Sequence, residues 1–569
     1  MLKSRSGGQL VVDALQVHGV EFVFGVPGES YLPVLDALYD SKIRFIINRQ
    51  EGGAAFMADA YGKMTGRPGI CFVTRGPGAT NAAIGVHTAY QDSTPMILFV
   101  GQVGNDFVER EAFQEIDYRR MYGQMAKWVA QIDRTDRIPE YIARAFQVAT
   151  SGRPGPVVLA LPEDMLAGVA EIADTRCYTP VQASPSAIQL AELRTRLARA
   201  QRPIVILGGS GWDADACRHI SEFAAANQLP LSCAFRFQDL VDNAHPNYVG
   251  DVGIGINPRL AQRIRDADLV IAIGPRLGEM TTSGYSILEA PIPRQALIHV
   301  HADALELGRV YQADQMINSG MPQIAAALKS MQPVDAGAWK ESVQAAKTDL
   351  ANYQTEPPLF KNTGAPLNLW QLVQDLMQAV PKDTIITNGA GNYATWAHRF
   401  YRYGGWRTQL APTSGAMGYG VPAGIAAKIV QPQRTVITFA GDGEYLMNGQ
   451  ELATAVQYRA GVIIIVFNNG MFGTIRMHQE REFPTRVSGT DLHNPDFAAL
   501  ARAYGASGEV VLATAEFAPA LQRALAHTQN TGLPALIELR YDGNLITPNA
   551  SLQAIRDIAL ENQARAGSH

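Results

Sequence analysis

Short apolar runs bounded by glycine, proline and polar residues recur along the chain, and between them lie stretches with apolar residues at helical spacing. Pro156-Val157-Val158-Leu159-Ala160-Leu161-Pro162, Pro203-Ile204-Val205-Ile206-Leu207, Val436-Ile437-Thr438-Phe439-Ala440 and Ile463-Ile464-Ile465-Val466-Phe467 are the clearest runs, with little polar alternation. Such runs read as strands buried on both faces, the pattern of parallel sheets covered by helices. The alternation of strand-like and helical segments predicts an α/β fold with three doubly wound parallel-sheet domains. The first is expected over residues 1–168, the second over 188–330 and the third over 367–545. Residues 331–366, with a helical middle and the break Glu356-Pro357-Pro358, read as a linker. Residues 546–569 read as a C-terminal tail, helical from Ser551 to Ala566, and the closing Gly567-Ser568-His569 as an expression remnant.

The third segment carries the sharpest local pattern. One buried-type strand runs into Gly441-Asp442-Gly443, the next into Asn468-Asn469, and Gly449 to Ala460 between them reads as a helix. In a strand–loop–helix–strand–loop unit both loops open at the carboxyl ends of parallel strands, where open α/β sheets take their ligands. One loop offers a carboxylate and the other an amide oxygen, hard donors suited to Mg²⁺ or Ca²⁺. Either loop alone is an ordinary turn former; their spacing between buried strands points to a metal-bound diphosphate.

The bulk properties narrow the class. A chain of 569 residues exceeds one hydrophobic core. Apolar residues make up 47% and charged ones 18%, with a net charge of −5, so there is no polybasic footprint for nucleic acid. Val462 to Phe467 and runs like it are far shorter than a bilayer span, and the first residues lack the apolar core of a signal peptide. Cys71, Cys177, Cys217 and Cys233 are scattered without metal-ligand spacing, as expected of reduced thiols in a cytoplasmic protein.

The Gly-Asp-Gly to Asn-Asn spacing resembles the thiamine diphosphate motif, and the flanking residues make nearly the whole chain similar to the acetolactate synthase-like family. The resemblance implies pyrimidine-binding, central Rossmann-like and diphosphate-binding domains, with Mg²⁺ held by Asp442, Asn469 and the main-chain carbonyl of Met471. It also implies a cofactor shared between the first domain of one subunit and the third of another, hence a homodimer or homotetramer. Asn48-Arg49-Gln50-Glu51-Gly52-Gly53-Ala54-Ala55 resembles the segment whose glutamate donates to N1′ of the aminopyrimidine, so that the 4′-amino group can remove the thiazolium C2 proton. That role needs a buried carboxyl with a raised pKa; Glu51 is the candidate, and its presence argues against the glyoxylate carboligases, which lack it.

Other segments follow. Thr413-Ser414-Gly415-Ala416-Met417-Gly418-Tyr419-Gly420 resembles the family segment whose methionine wedges the cofactor into its bent form, which assigns Met417. Gly76, Pro77, Gly78 and Asn81 match the Gly-Pro-Gly-Ala-Thr-Asn loop, and Pro27 and Gly28 the Gly-x-Pro-Gly loop, all on the cofactor. Ala112-Phe113-Gln114-Glu115 matches the segment whose Phe113 and Gln114 line the substrate channel. Asn392, in Asn388 to Tyr393, falls on a diphosphate-side loop, beside Gly441 and Gly443; Phe472 and His478 fall on the substrate pocket.

The chain also departs from the family. His478 stands where acetolactate synthases carry a pocket tryptophan. Gly274-Pro275-Arg276-Leu277-Gly278-Glu279-Met280 keeps only the arginine of the segment that touches FAD, so FAD is not expected. No two histidines are adjacent, which removes the pair that decarboxylases use and favours carboligation; His87 and His478 stand singly, and His87 reads as a packing or surface residue. The expected activity is decarboxylation of a 2-oxo acid with transfer of the acyl unit to a second carbonyl. A decarboxylase or 2-hydroxyacyl lyase on a larger substrate is the alternative within the family, and a non-catalytic cofactor-binding subunit the alternative outside catalysis. Gly209-Ser210-Gly211-Trp212-Asp213-Ala214 fits G-x-G-x-x-A, the turn of nicotinamide dehydrogenases, but no acidic residue ends a second strand at the expected distance.

Overall fold

The computed structural model describes residues 4–361 and 366–566. Residues 362–365 of the expected linker and the closing Gly567-Ser568-His569 lie outside the described residues. The chain forms two compact units, Met1–Asp349 and Leu350–His569. The first carries two six-stranded sheets and the second carries one, and within each sheet every strand is parallel to its neighbours.

The first sheet runs Arg44–Ile47, Phe22–Gly25, Gly69–Val73, Met96–Gln102, Pro156–Pro162, Trp128–Gln131. The second runs Tyr248–Asp251, Leu231–Cys233, Pro203–Leu207, Leu269–Ile273, Ala296–His301, Gln315–Asn318. The third runs Gln409–Leu410, Ile385–Asn388, Val436–Gly441, Ile463–Asn468, Ala535–Arg540, Ser507–Val511. In each, the chain winds outward from one central strand and then returns to its other side. That reversal splays the loops at the strand ends and makes a crevice there. It lies between Phe22–Gly25 and Gly69–Val73 in the first sheet, between Pro203–Leu207 and Leu269–Ile273 in the second, and between Ile385–Asn388 and Val436–Gly441 in the third.

The apolar runs became central strands because both of their faces are covered: Ile97, Phe99, Val157 and Leu159 are fully buried in the first sheet, and Ile437, Ile464 and Val466 in the third. Close packing of the helices depends on small side chains. Glu51–Thr65 is buried from Gly52 to Gly62 and lies against Pro77–Asp92, where a Cβ on Gly85 would meet that of Ala55 at 2.3 Å. Of the four cysteines, Cys71, Cys217 and Cys233 are buried and Cys177 is exposed, and all are free thiols. No described helix is long and apolar enough to cross a membrane.

Two local expectations come out differently. The helix expected over residues 449–460 begins earlier, as Asp442–Asn448, and continues after a short 3₁₀ turn as Leu452–Gln457. Asp442 and Glu444 supply the acidic first turn that the positive helix end favours, and Gly449 lets the ring of buried Tyr445 pack where a Cβ would come within 2.7 Å. The stretch read as a linker is docked at its start. Trp339 is buried with its indole donating to the Asn227 carbonyl (3.1 Å), and Lys347 donates to the carbonyls of Asn243, His245 and Tyr248. The tail forms the helix Leu552–Ala566, which packs against Gly473–Glu482; there Arg556 grips the buried Glu480 at 2.6 and 2.8 Å.

Candidate active site

In the second unit the reversal point of the sheet opens into a cavity of about 250 Å³. Its walls are the loop Ala390–Tyr393, Gly415 with Met417, the turn Gly441–Glu444, the turn Asn469–Ile475, and Tyr541. The residues that the resemblance assigned to the cofactor or its metal in this half of the chain, Asn392, Met417, Gly441, Asp442, Gly443, Asn469 and Met471, all line this one cavity.

Asp442 organises it. It is 3% exposed; Oδ1 accepts from the Gly443 amide (2.9 Å), and Oδ2 accepts from the Gly470 amide and from Asn494 Nδ2, each at 2.8 Å. The turns after two adjacent strands are thus tied by one carboxylate. Burial raises the pKa of that carboxyl, opposed by the amide and Asn494 hydrogen bonds. Asn468 donates to the fully buried Glu538 (2.8 Å) and accepts from Asn494 Nδ2 (2.9 Å), so the first asparagine of the pair is spent on structure. Asn469, the second, accepts from the Met471 amide (3.3 Å) and faces the cavity. Met417 is half-buried on the opposite loop.

Several partners here had no sequence signal. Asn494 bridges Asp442 and Asn468 from a loop with no motif of its own. Glu444, 2% exposed, accepts from the Tyr393 hydroxyl, which itself accepts from the Gly389 amide (3.1 Å); a Cβ on Gly389 would lie 1.8 Å from Glu444 Oε1. Thr474 Oγ1 accepts from the Asn392 amide at 3.0 Å and holds that loop to the turn after Asn469. Phe472 lines the cavity, and its ring sits where a Cβ on Gly443 would come within 2.5 Å. His478 lies further along Gly473–Glu482, exposed and outside the cavity wall, with Arg481 3.5 Å from its Nδ1.

The first unit assembles the other set of residues at the reversal point of its own sheet. Glu51 opens its helix, whose first turn is capped by the Gln50 side chain accepting from the Gly53 amide (3.1 Å). Its Oε2 accepts from Asn81 Nδ2 (2.9 Å), and a Cβ on Gly78 would lie 3.5 Å from Oε1. Two helix starts, Glu51 and Pro77, therefore converge on this carboxylate. Gly76, at φ +49°, is hydrogen-bonded through its amide to the Tyr118 hydroxyl (2.9 Å) and lies against Gln114, where a Cβ would come within 2.8 Å of the Gln114 carbonyl. Gln114 Oε1 is buried without a hydrogen-bond partner among the described residues. Phe113 is 73% exposed beside it. Gly28 packs against Thr74, with Pro27 exposed on the same loop, and His87 is exposed on the helix Pro77–Asp92.

Three family models match the chain in order. Residues 5–121 match the N-terminal TPP binding domain of thiamine pyrophosphate enzymes, 190–328 their central domain, and 389–539 their C-terminal TPP binding domain. The chain is 32% identical to a probable acetolactate synthase large subunit of Methanocaldococcus jannaschii, with 94% of this chain and 92% of that one covered. It is 31% identical to the acetolactate synthase isozyme 2 large subunit of Escherichia coli (96% and 98% covered) and 33% identical to the acetolactate synthase large subunit of Lactococcus lactis (88% of each). A buried carboxylate joining two turns over a cavity in one unit, and a glutamate between two helix starts in the other, thus lie in a chain that belongs to the thiamine pyrophosphate-dependent enzymes, related along its length to the acetolactate synthase large subunits.

Proposed function

We propose that this enzyme decarboxylates a 2-oxo acid and transfers the acyl unit to a second carbonyl, using thiamine diphosphate and Mg²⁺, in the manner of an acetolactate synthase. The observation that carries the reading is the tie from Asp442 to the turn after Asn468, which leaves the Asp442 carboxylate and the Asn469 side chain on the wall of a cavity that Met417 also lines. The donor set suits a hard cation: the Asp442 carboxylate, the Asn469 amide oxygen and the Met471 carbonyl are all oxygens. Gly441 and Gly443 let the rings of Tyr393 and Phe472 pack directly on the backbone of this wall, where a Cβ would come within 3.0 and 2.5 Å of them.

When bound, thiamine diphosphate supplies a nucleophilic thiazolium carbon and an electron sink for the carbanion left when CO₂ departs. The protein's part is position and proton control. Asp442, Asn469 and the Met471 carbonyl would hold the cation, Gly76, Pro77, Gly78 and Asn81 would line the cofactor from the first domain, and Pro27 and Gly28 would lie at its reacting end. Glu51 would donate a proton to the pyrimidine ring of the bound cofactor, and Met417 would pack against it. Phe113 and Gln114 would line the substrate channel beside it, with the Gln114 oxygen able to accept from a donor there. The two halves are completed across a homodimer, alone or within a homotetramer, of a cytoplasmic enzyme.

The test is product analysis by NMR after incubation with thiamine diphosphate, Mg²⁺ and pyruvate, beside Glu51→Gln. Acetolactate formed by the wild type and reduced at least about 10²-fold in the variant is the expected result. Acetaldehyde in its place would make the protein a decarboxylase. No turnover of pyruvate with cofactor bound would move the reading to a larger acyl donor, and near-normal activity of Glu51→Gln would remove Glu51 from its role.

A further inference from the structure

Loop 109–115, which carries Phe113 and Gln114, is bent against its own preferences. Glu109, Glu111 and Gln114 adopt φ of +62°, +51° and +66°, a region that side chains with a Cβ disfavour. The loop closes on itself through Glu115, which accepts from the amides of Glu109 (2.8 Å) and Ala112 (3.0 Å). Those bonds shape the loop but do not hold it to the sheet. Arg75 does. It is 8% exposed, at the end of the strand Gly69–Val73, and its Nε donates to the Phe113 carbonyl at 3.0 Å. Its Nη1 donates to Glu163 Oε1, and its Nη2 lies 3.4 Å from Glu29 Oε1, in the turn directly after Gly28. One guanidinium therefore joins four segments: the Gly25–Glu29 turn, the Thr74–Gly78 turn, loop 109–115 and the helix that opens at Glu163.

We propose that Arg75, seated by Glu29 and Glu163, is the latch that fixes loop 109–115 over the Gly76 turn, and so a positioning residue that decides how Phe113 and Gln114 meet the substrate. The inference rests on the substrate-channel reading of those two residues given above. The geometry requires an arginine. The three contacts diverge from one planar fork, with the carbonyl on Nε and the carboxylates on the two terminal nitrogens, and an ammonium cannot span them. The two carboxylates also neutralise the cation, so the latch adds no net positive charge to the channel that would draw anionic substrates by itself.

The experiment is hydrogen exchange of the full-length protein read by mass spectrometry in Arg75→Met, Arg75→Lys and Glu163→Gln. Affinity for thiamine diphosphate with Mg²⁺ and steady-state turnover of pyruvate are measured alongside. The amides of Glu109, Ala112 and Glu115 report on the loop. Both Arg75 variants are expected to speed exchange in 109–115 by about tenfold or more, as for loss of a charge-assisted hydrogen bond from a locally opening segment. Glu163→Gln is expected to do so less. The strands Gly69–Val73 and Met96–Gln102 keep wild-type protection, cofactor affinity stays unchanged, and KM for pyruvate rises more than kcat falls. Failure of Arg75→Lys to protect the loop separates fork geometry from charge. Unchanged exchange in 109–115, or exchange rising equally in the two strands, overturns the latch; should the Arg75 variants not fold, Glu163→Gln and Glu29→Gln decide by the same criterion. A wild type that does not turn over pyruvate would remove the functional reading, while the exchange data would still decide whether Arg75 holds the loop.

Discussion

Two glycine turns sit at equivalent points of two sheets and have opposite fates. In the central sheet, the turns after Pro203–Leu207 and Leu269–Ile273 lie on each other: a Cβ on Gly209 would fall 2.1 Å from the Gly274 carbonyl, and one on Gly274 would fall 2.2 Å from that of Gly208. Trp212 is buried in the turn with its indole donating to the Gly208 carbonyl (2.9 Å), and the following helix starts only at Ala214. In the third sheet, the turns after Ile385–Asn388 and Val436–Gly441 meet through the side chains of Tyr393 and Glu444, the helix starts at Asp442 directly, and both turns line a cavity. The glycines of the central turn serve backbone-to-backbone packing, whereas those of the third line a wall. A G-x-G-x-x-A spelling therefore does not by itself make a dinucleotide site. What matters is whether the reversal point stays open and whether a helix start faces it.

The contrast can be broken by substitution. The largest effect on turnover is expected at Asp442→Ala, which removes both the carboxylate proposed to hold the cation and the tie between turns. Turnover should fall on the order of 10²–10³-fold with far-ultraviolet circular dichroism unchanged; cofactor binding at wild-type strength would mean that the cation is held elsewhere. In the central turn the expectation is reversed. Trp212→Ala should cost about 3–5 kcal/mol of stability, read as a lower Tm, with kcat per folded molecule unaltered. Lost activity in folded protein would mean that this turn serves the reaction.

Asn494→Ala sharpens the comparison on the open side. It takes one amide donor from both Asp442 and Asn468, and Mg²⁺ affinity in the presence of thiamine diphosphate should fall about 10–100-fold, the scale of losing a group behind a metal ligand. Glu480 bears on stability rather than on the site. Its hydrogen bond to Arg556 leads the causes that push its pKa down from 4.5 to about 2, so its contribution to stability is present above about pH 4.5 and is lost as the pH falls through about 2. Arg556→Ala should therefore destabilise by about 1.5–3 kcal/mol at neutral pH, an effect that shrinks in acid titrations followed by fluorescence.

Legibility followed the range of the interactions. The strands Pro156–Pro162 and Ile463–Asn468 lie where unbroken apolar runs put them, and Glu51 and Asp442 each open a helix immediately beyond a strand or its following turn. The helix start at Asp442 was hidden because Gly-Asp-Gly reads as a turn until Tyr445 is buried behind it. Asn494, Glu444 and Arg75 had no spacing to announce them, since each acts on residues brought near only by the sheet. His478, placed by resemblance on a substrate pocket, is exposed on its helix, while Phe472 at the helix start faces the cavity.

The sequence by itself determined the alternation of buried strands and helices, the three parallel sheets and the chemistry of the two key turns, because burial period and turn preference are properties of neighbouring residues. Only the tertiary structure decided which reversal point stays open, which asparagine of the pair at 468 and 469 is spent on Glu538 and which faces the cavity, and which arginine holds loop 109–115. Those outcomes depend on strand order and on contacts between segments far apart in the chain, where close packing admits one arrangement and local pattern carries no record of it.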